Sequence, residues 1–145
     1  MQYLSNSPEE TIALGEAFGR KYLHAGVVVT VEGELGAGKT HFVKGIAGAL
    51  GIDERELRSP TFALANEIDC EFQGKPFRLY HLDCYRFERP EELLELGVED
   101  YLFPKNAATI IEWPERIAEL IPARAKKVAL QFRSEFEREI TITVE

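Results

Sequence analysis

The sequence contains little cysteine, no long apolar run and no excess of basic residues. Two cysteines among 145 residues are too few for a disulfide framework or a four-thiolate zinc site, so both are expected to be free thiols. No apolar stretch approaches the ~20 residues that a membrane helix needs. The first residues, Met1-Gln2-Tyr3-Leu4, lack the basic start and apolar run of a secretory signal. These absences predict a cytoplasmic protein that does not contact a membrane.

Acidic residues outnumber basic residues by 25 to 17, so the formal net charge is −8. Binding of a nucleic acid requires clustered cations that neutralise its phosphates, and this chain is therefore a poor stand-alone partner for one. A single nucleotide can still be held by a few local groups. The apolar share of 45% and the charged share of 29% are typical of a folded globular chain, and the length fits one domain over residues 1–145.

Helix and strand patterns alternate along the chain. Ser7 is a predicted N-cap for a helix over about residues 8–24, with a proline in its first turn. The β-branched run at 27–31 is too apolar to alternate, which predicts a buried central strand of a parallel sheet. A second helix is predicted over 39–50, ended by Gly51. Further strands are predicted at 62–67, 77–83, 109–113, 128–132 and 139–144, with a turn at 73–76 and helices at 89–97 and 114–120.

The most specific motif is Gly33-Glu34-Leu35-Gly36-Ala37-Gly38-Lys39-Thr40, which matches the phosphate-binding loop pattern G-x-x-x-x-G-K-[ST]. Glycines let several backbone N–H groups point inward, and the following helix adds its positive N-terminal end. Lys39 is expected to bridge the β- and γ-phosphates and Thr40 to ligate Mg²⁺. A glycine-rich turn that holds no phosphate is the alternative. The predicted nucleotide-binding residues are Glu34, Leu35, Gly36, Ala37, Gly38, Lys39, Thr40 and His41.

The motif lies between a predicted strand and a predicted helix, as a phosphate-binding loop requires. With the alternation of elements, it predicts an α/β fold of the P-loop NTPase type. We expect a three-layer sandwich with a mostly parallel central sheet and a hairpin excursion in the middle of the chain.

Two carboxylates, Asp83 and Glu112, stand at the ends of predicted strands. Ligands of open α/β sheets lie outside the carboxyl ends of the strands, so both acids are expected to face one crevice. A nucleotide-hydrolysing site of this type needs a carboxylate near its metal. Alternatively, either acid only caps a turn or pairs with Arg86 or Arg116.

Ser59 and Thr61 follow the predicted second helix, where many nucleotide-triphosphate enzymes carry a switch segment. Their hydroxyls could sense a γ-phosphate. The same Ser-Pro-Thr-Phe sequence is equally typical of a turn that leads into a strand. Residue chemistry alone leaves both interpretations open.

The motifs together resemble one family, TsaE, also called YjeE. They are the loop at 33–40, Ser-Pro-Thr-Phe at 59–62, H-x-D-x-Y-R at 81–86, Pro-Glu-Glu-Leu at 90–93, Gly97 with Asp100-Tyr101, and Glu-Trp-Pro at 112–114. The resemblance extends from about Ser7 to Pro122. It implies a small ATPase required for the threonylcarbamoyl modification of the adenosine beside the tRNA anticodon. The implied partners are TsaB and TsaD, of which TsaD performs the transfer, and tRNA would be met only through them.

The resemblance also implies residue roles, with ATP and Mg²⁺ as ligands. Lys39 and Thr40 match the phosphate lysine and the metal-binding threonine. Asp83 matches the aspartate needed for hydrolysis, and Glu112 matches the acid beside Mg²⁺. Trp113 matches a functionally important aromatic residue, although an indole packed in the core explains it equally well.

Two other functions remain compatible with the motifs. A small-molecule kinase would use the same phosphate-binding loop, but such kinases usually need a basic lid, and the segments after the loop are acidic. A nucleotide-dependent scaffold without useful hydrolysis is the second alternative.

Overall fold

A computed structural model describes residues 1–57, 65–85, 87–95, 97 and 99–144 of the chain. Strands and helices alternate over most of this length, as the sequence patterns predict. The strands are β1 (Gln2–Ser5), β2 (Val28–Glu32), β3 (Ala65–Phe72), β4 (Lys75–Asp83), β5 (Ala107–Glu112), β6 (Lys126–Phe132) and β7 (Arg138–Thr143). The α-helices are α1 (Pro8–Tyr22), α2 (Lys39–Ala49), α3 (Glu91–Leu94) and α4 (Glu99–Leu102), and 3-10 helices cover Glu54–Leu57 and Pro114–Leu120.

Over the described residues, one sheet contains seven strands in the order β1-β7-β6-β2-β5-β4-β3. The pairs β2–β5, β2–β6 and β4–β5 are parallel, whereas β1–β7, β3–β4 and β6–β7 are antiparallel. The α/β class is confirmed, but the prediction of a mostly parallel sheet is wrong, because the sheet is mixed. The physical reason is that strands joined by short turns, such as β3–β4 and β6–β7, can pair only in the antiparallel sense.

β2 lies at the centre of the sheet, as its β-branched run predicts. It pairs in parallel with a strand on each side, and its valines are buried. Val29 and Val31 pack in a core cluster with Phe18 of α1, while Val28 packs in a second cluster with Leu93 of α3. Since successive side chains of a strand point to opposite faces, a hydrophobic core with helices covers each face of the sheet.

β3 and β4 form a hairpin that continues the sheet, because β4 also pairs with β5. The strands are joined by Gln73 and Gly74, whose φ angles of 54° and 76° fit the two-residue turn that twisted strands favour. The prediction of a four-residue turn is wrong, because Lys75 and Pro76 already belong to β4. β3 extends beyond the strand predicted at 62–67, part of which lies outside the described residues.

The helix-capping prediction for α1 is confirmed. The backbone N–H of Glu10 donates to Ser7 Oγ at 3.1 Å, and the Glu10 carboxylate accepts from the N–H of Asn6 at 2.6 Å. Gly51 follows α2 with a φ of 72°, as expected at a helix end. The predicted helix at 114–120 is a 3-10 helix interrupted at Ile117, where φ is −132°. None of the helices in the described ranges is long and apolar enough to cross a membrane.

Candidate functional site

The glycine-rich loop connects the end of β2 to the first residue of α2. Gly38 directly precedes the helix and has a φ of 101°, a conformation that glycine adopts without steric cost. The N–H of Ala37 donates to the Glu34 carbonyl at 3.0 Å, which closes a tight turn. No side chain among the described residues caps α2. The first N–H groups of the helix are therefore free of a side-chain acceptor, and the positive end of the helix is available to an anion.

Lys39 is held inside the loop by backbone carbonyls. Only 6% of the residue is exposed, and its ammonium donates to the carbonyl of Glu34 at 3.0 Å and to that of Gly33. The same ammonium lies 4.0 Å from the centroid of the Trp113 ring, within the range of a cation–π interaction. The lysine is thus pre-positioned at the loop.

Burial lowers the pKa of Lys39 below its ordinary value, because desolvation disfavours the charged form. The carboxylates of Glu112, Glu115 and Asp83 act in the opposite direction. An anion bound at the loop would add to their effect and favour the charged lysine.

Asp83 and Glu112 are brought together as the sequence predicts. They are register partners at the carboxyl ends of the parallel strands β4 and β5, and both line the cleft beside Lys39 and Thr40. Asp83 also caps a turn, since its carboxylate accepts from the N–H of Tyr85 at 3.1 Å. Neither acid forms a salt bridge with an arginine among the described residues. Arg116 instead donates to the Phe87 carbonyl, and Arg86 lies outside that part of the chain.

Glu112 is paired with a residue that the sequence analysis did not single out as a site residue. His81 Nε2 lies 2.5 Å from Glu112 Oε2, and each side chain is only 9% exposed. His81 precedes Asp83 by two positions on β4, so both side chains leave the strand on the same face. The H-x-D spacing could have indicated this face, but not the partner on β5.

Trp113 directly follows β5 and has a left-handed backbone, with φ 57° and ψ 50°. Its ring is half-buried, lies 4.8 Å from the Tyr85 ring and lines the cleft. The indole therefore contacts both Lys39 and the second core cluster.

A cleft of about 390 Å³ joins these groups. The start of α1 lines the cleft, and so do the β6–β7 connection and the first residue of β7, which carry no recognisable sequence motif. Arg138 ties this connection to the loop by donating to the Gly36 carbonyl at 3.4 Å. Ser59 and Thr61 lie outside the described residues. The lining residues are Ser7, Pro8, Thr11, Leu35, Gly36, Gly38, Lys39, Thr40, His41, Asp83, Glu112, Trp113, Glu135, Phe136 and Arg138.

A second cleft of about 300 Å³ lies next to the first and shares three residues with it: Thr40, Asp83 and Glu112. These residues therefore stand between two solvent-accessible spaces. Of the other predicted loop residues, Ala37 is buried, and Glu34 lines a further groove beside Trp113.

The fold and the site together define a class. This is an α/β protein with a mixed sheet, in which a glycine-rich loop, a helix N-terminus that no described side chain caps and two strand-end carboxylates line one cleft.

Comparisons with known proteins give the family. The family model described as "Threonylcarbamoyl adenosine biosynthesis protein TsaE" matches residues 5–140. The protein named tRNA threonylcarbamoyladenosine biosynthesis protein TsaE from Treponema pallidum is 37% identical over 142 residues, which cover 98% of this chain and 99% of the relative. The protein of the same name from Bacillus subtilis is 36% identical over 143 residues, with coverage of 99% and 85%. This chain therefore belongs to the TsaE family, and the resemblance stated from its motifs is confirmed.

The fold agrees with this assignment. The crystal structure of Bacillus subtilis YdiB is similar to this structure with a TM-score of 0.76 and a sequence identity of 31%. The similarity covers 99% of this chain and 84% of that chain.

Proposed function

We propose that this protein is a Mg²⁺-dependent ATPase that supports threonylcarbamoyl modification of the adenosine next to the tRNA anticodon. The names of its relatives support the pathway. The observation that carries the proposed chemistry is the start of α2, which no described side chain caps and whose lysine and threonine line the same cleft as Asp83 and Glu112.

The hydrogen-bond donors at the loop fit a nucleoside triphosphate. Backbone N–H groups at a helix N-terminus are suited to phosphate oxygens, and Lys39 already donates to two loop carbonyls that phosphate oxygens can replace. Thr40 is exposed and lines the cleft, so its hydroxyl is accessible. Residues Glu34 to His41 would therefore hold the phosphates, with Lys39 as the main cation.

Thr40 and Glu112 would hold Mg²⁺, since a hydroxyl and a carboxylate are the hard oxygen ligands that this ion prefers. When bound, Mg²⁺ supplies charge neutralisation at the phosphates. Asp83 is exposed at the boundary of the two clefts, where its carboxylate would orient the attacking water. Trp113 would keep the Lys39 ammonium beside the loop through its ring face.

The proposed partners are TsaB and TsaD, and the proposed location is the cytoplasm. A chain of net charge −8 has too few clustered cations to hold tRNA alone. We therefore propose that tRNA is bound by the partner proteins and that this chain acts on or with their complex.

The test is hydrolysis of ATP and of GTP by the purified chain, with and without TsaB and TsaD. We expect ATP hydrolysis that needs Mg²⁺ and increases when the partners are added. Thr40→Ala is the loss variant, and Thr40→Ser is its matched control because it keeps the hydroxyl. Equal hydrolysis by wild type and Thr40→Ala would contradict the proposal. Nucleotide binding without hydrolysis, even with the partners present, would instead support the scaffold.

A further inference from the structure

His81 and Glu112 form a buried pair that the proposed chemistry does not yet explain. The ring nitrogen and the carboxylate oxygen are 2.5 Å apart, and each side chain is only 9% exposed. Both residues line the second cleft beside Thr40 and Asp83. Buried polar groups are costly unless paired, so this contact fixes both side chains.

The direction of the hydrogen bond follows from the role proposed for Glu112. A carboxylate that holds a metal is ionised and can only accept, so this role requires His81 Nε2 to carry the hydrogen and to donate to Glu112 Oε2. His81 Nδ1 is buried and has no partner among the described residues. The ring therefore makes a single hydrogen bond there, and that bond is directed at Glu112.

We propose that His81 is the positioning residue of Glu112: its Nε2–H holds one carboxylate oxygen, so that the other oxygen is presented to the metal side of the cleft. This inference rests on the proposed function, because it concerns the acid assigned to Mg²⁺. Carboxylates that ligate metals are generally held by such outer hydrogen bonds. The loss of one typically lowers metal affinity or activity by about 10- to 100-fold.

The arrangement follows from the strand register. Asp83 and Glu112 are partners across β4 and β5, and His81 is the partner of Ile110. His81 thus lies on the same face as Asp83, diagonally across from Glu112, within reach of a long side chain. β4 therefore carries both Asp83 and His81, the residue that fixes Glu112.

The first experiment examines the hydrogen bond without nucleotide or metal. The chain contains three histidines, so ¹⁵N labelling of histidine gives few ring signals to assign. We expect one ring with a protonated Nε2, a bare Nδ1 and a strongly downfield N–H proton. That proton should shift or vanish in Glu112→Gln, a change that leaves His24 and His41 unaffected. A His81 ring protonated at Nδ1 and bare at Nε2 would overturn the inference.

The second experiment measures how strongly Mg²⁺ tightens the binding of a non-hydrolysable ATP analogue, by calorimetry with Mg²⁺ or with EDTA. His81→Gln keeps an N–H donor near the position of Nε2, whereas His81→Asn can place one only near the position of Nδ1. We expect His81→Asn and His81→Leu to lose about 10-fold or more of the Mg²⁺ effect, and His81→Gln to retain most of it. The exposed His24 provides the control variant His24→Gln, which should behave as wild type.

The outcomes separate the inference from the proposed function. If wild type binds no analogue, the proposed function fails, and the ring signals alone decide whether the pair exists. If wild type binds with Mg²⁺ and His81→Leu shows the same Mg²⁺ effect, only the positioning role is refuted. Equal losses in His81→Gln and His81→Asn, with thermal unfolding as in wild type, would also refute it.

Discussion

The close contact between α1 and α2 predicts that the same substitution, glycine to alanine, has different effects on stability at two positions of α2. A Cβ atom at Gly45 would lie 2.1 Å from the Ile12 carbonyl oxygen and 2.7 Å from the Glu16 nitrogen. Both are backbone atoms of α1, so no side-chain rotation relieves the overlap. Gly45→Ala must therefore push the helices roughly 1 Å apart to restore ordinary contact distances. Gly48, on the same helix, has no described atom within 4 Å of its Cβ position apart from its chain neighbours and the backbone of its own helix.

The two substitutions should change the free energy of unfolding in opposite directions. Alanine is better than glycine in a helix interior by about 1 kcal/mol, and this gain applies to both variants. Overpacking usually costs about 1–3 kcal/mol, and a clash with backbone falls at the upper end. Separating the helices also disturbs the contact of Phe18 with Phe42, whose ring centroids are 5.7 Å apart. We expect Gly45→Ala to lose about 2 kcal/mol of unfolding free energy and Gly48→Ala to gain up to about 1 kcal/mol.

Equilibrium unfolding in urea measures both changes, and thermal unfolding checks them. For a chain of this size, 1 kcal/mol corresponds to a change of about 2–4 °C in Tm. The start of α1 forms one wall of the cleft, so Gly45→Ala should also weaken nucleotide binding, whereas Gly48→Ala should not. A Gly45→Ala chain as stable as wild type would refute the argument from close helix contact. Equal destabilisation by both substitutions would show that the helix itself, and not its contact with α1, is sensitive.

Three further predictions concern the site and the thiols. Thr40→Ala and Glu112→Ala should each lower Mg²⁺-dependent ATP hydrolysis by more than ~10-fold, because charge neutralisation at the phosphates is most of the catalysis; a wild-type rate for Glu112→Ala would make that acid purely structural. Asp83→Asn should keep ATP binding but lose single-turnover hydrolysis, since the amide preserves shape and removes basicity; weaker binding with an unchanged rate would contradict this role. Burial raises the pKa of Cys84 to about 12, from an ordinary value of 9.0. Folding therefore favours the neutral thiol, and its contribution to the free energy of unfolding should be present below pH 9 and lost as the pH rises towards 12. A thiol reagent at pH 8 should accordingly label at most Cys70 in the folded chain and both cysteines in urea, and rapid labelling of two thiols before unfolding would show that Cys84 is accessible.

The parts of the fold that the sequence predicts are those with a local signal. β2, the loop and α2 follow one another within a short segment, and apolar runs, glycines and helix ends identify each of them. The meeting of Asp83 and Glu112 was also predictable, because parallel strands place their carboxyl ends at one edge of a sheet. No such signal exists for β1, whose four residues are mostly exposed. That strand exists because it pairs with β7 near the other end of the chain, and single-sequence patterns do not encode such a pairing.

The walls of the cleft were less predictable than its floor. The floor is formed by the glycine-rich loop at 33–40, in which each residue type has a chemical reason for its position. The wall at the β6–β7 connection, with Phe136 and Arg138, depends on how a hairpin at one end of the sequence folds over a loop near the other end. Arg138 contacts the Gly36 carbonyl, and Phe136 lines the cleft although it is 71% exposed. Neither residue belongs to a motif, so only the folded chain indicates them.

Trp113 belongs to a segment for which the sequence left two interpretations open. The Glu-Trp-Pro sequence is compatible with a core indole or with a ring that serves the site. A left-handed backbone at a bulky residue costs roughly 1–3 kcal/mol and persists only where its surroundings impose it. Here it directs the ring into the cleft, where the ring face lies against the Lys39 ammonium and the Tyr85 ring packs beside it. The same ring also packs against the second core cluster, so the geometry is compatible with both interpretations, and a role at the lysine stays a prediction.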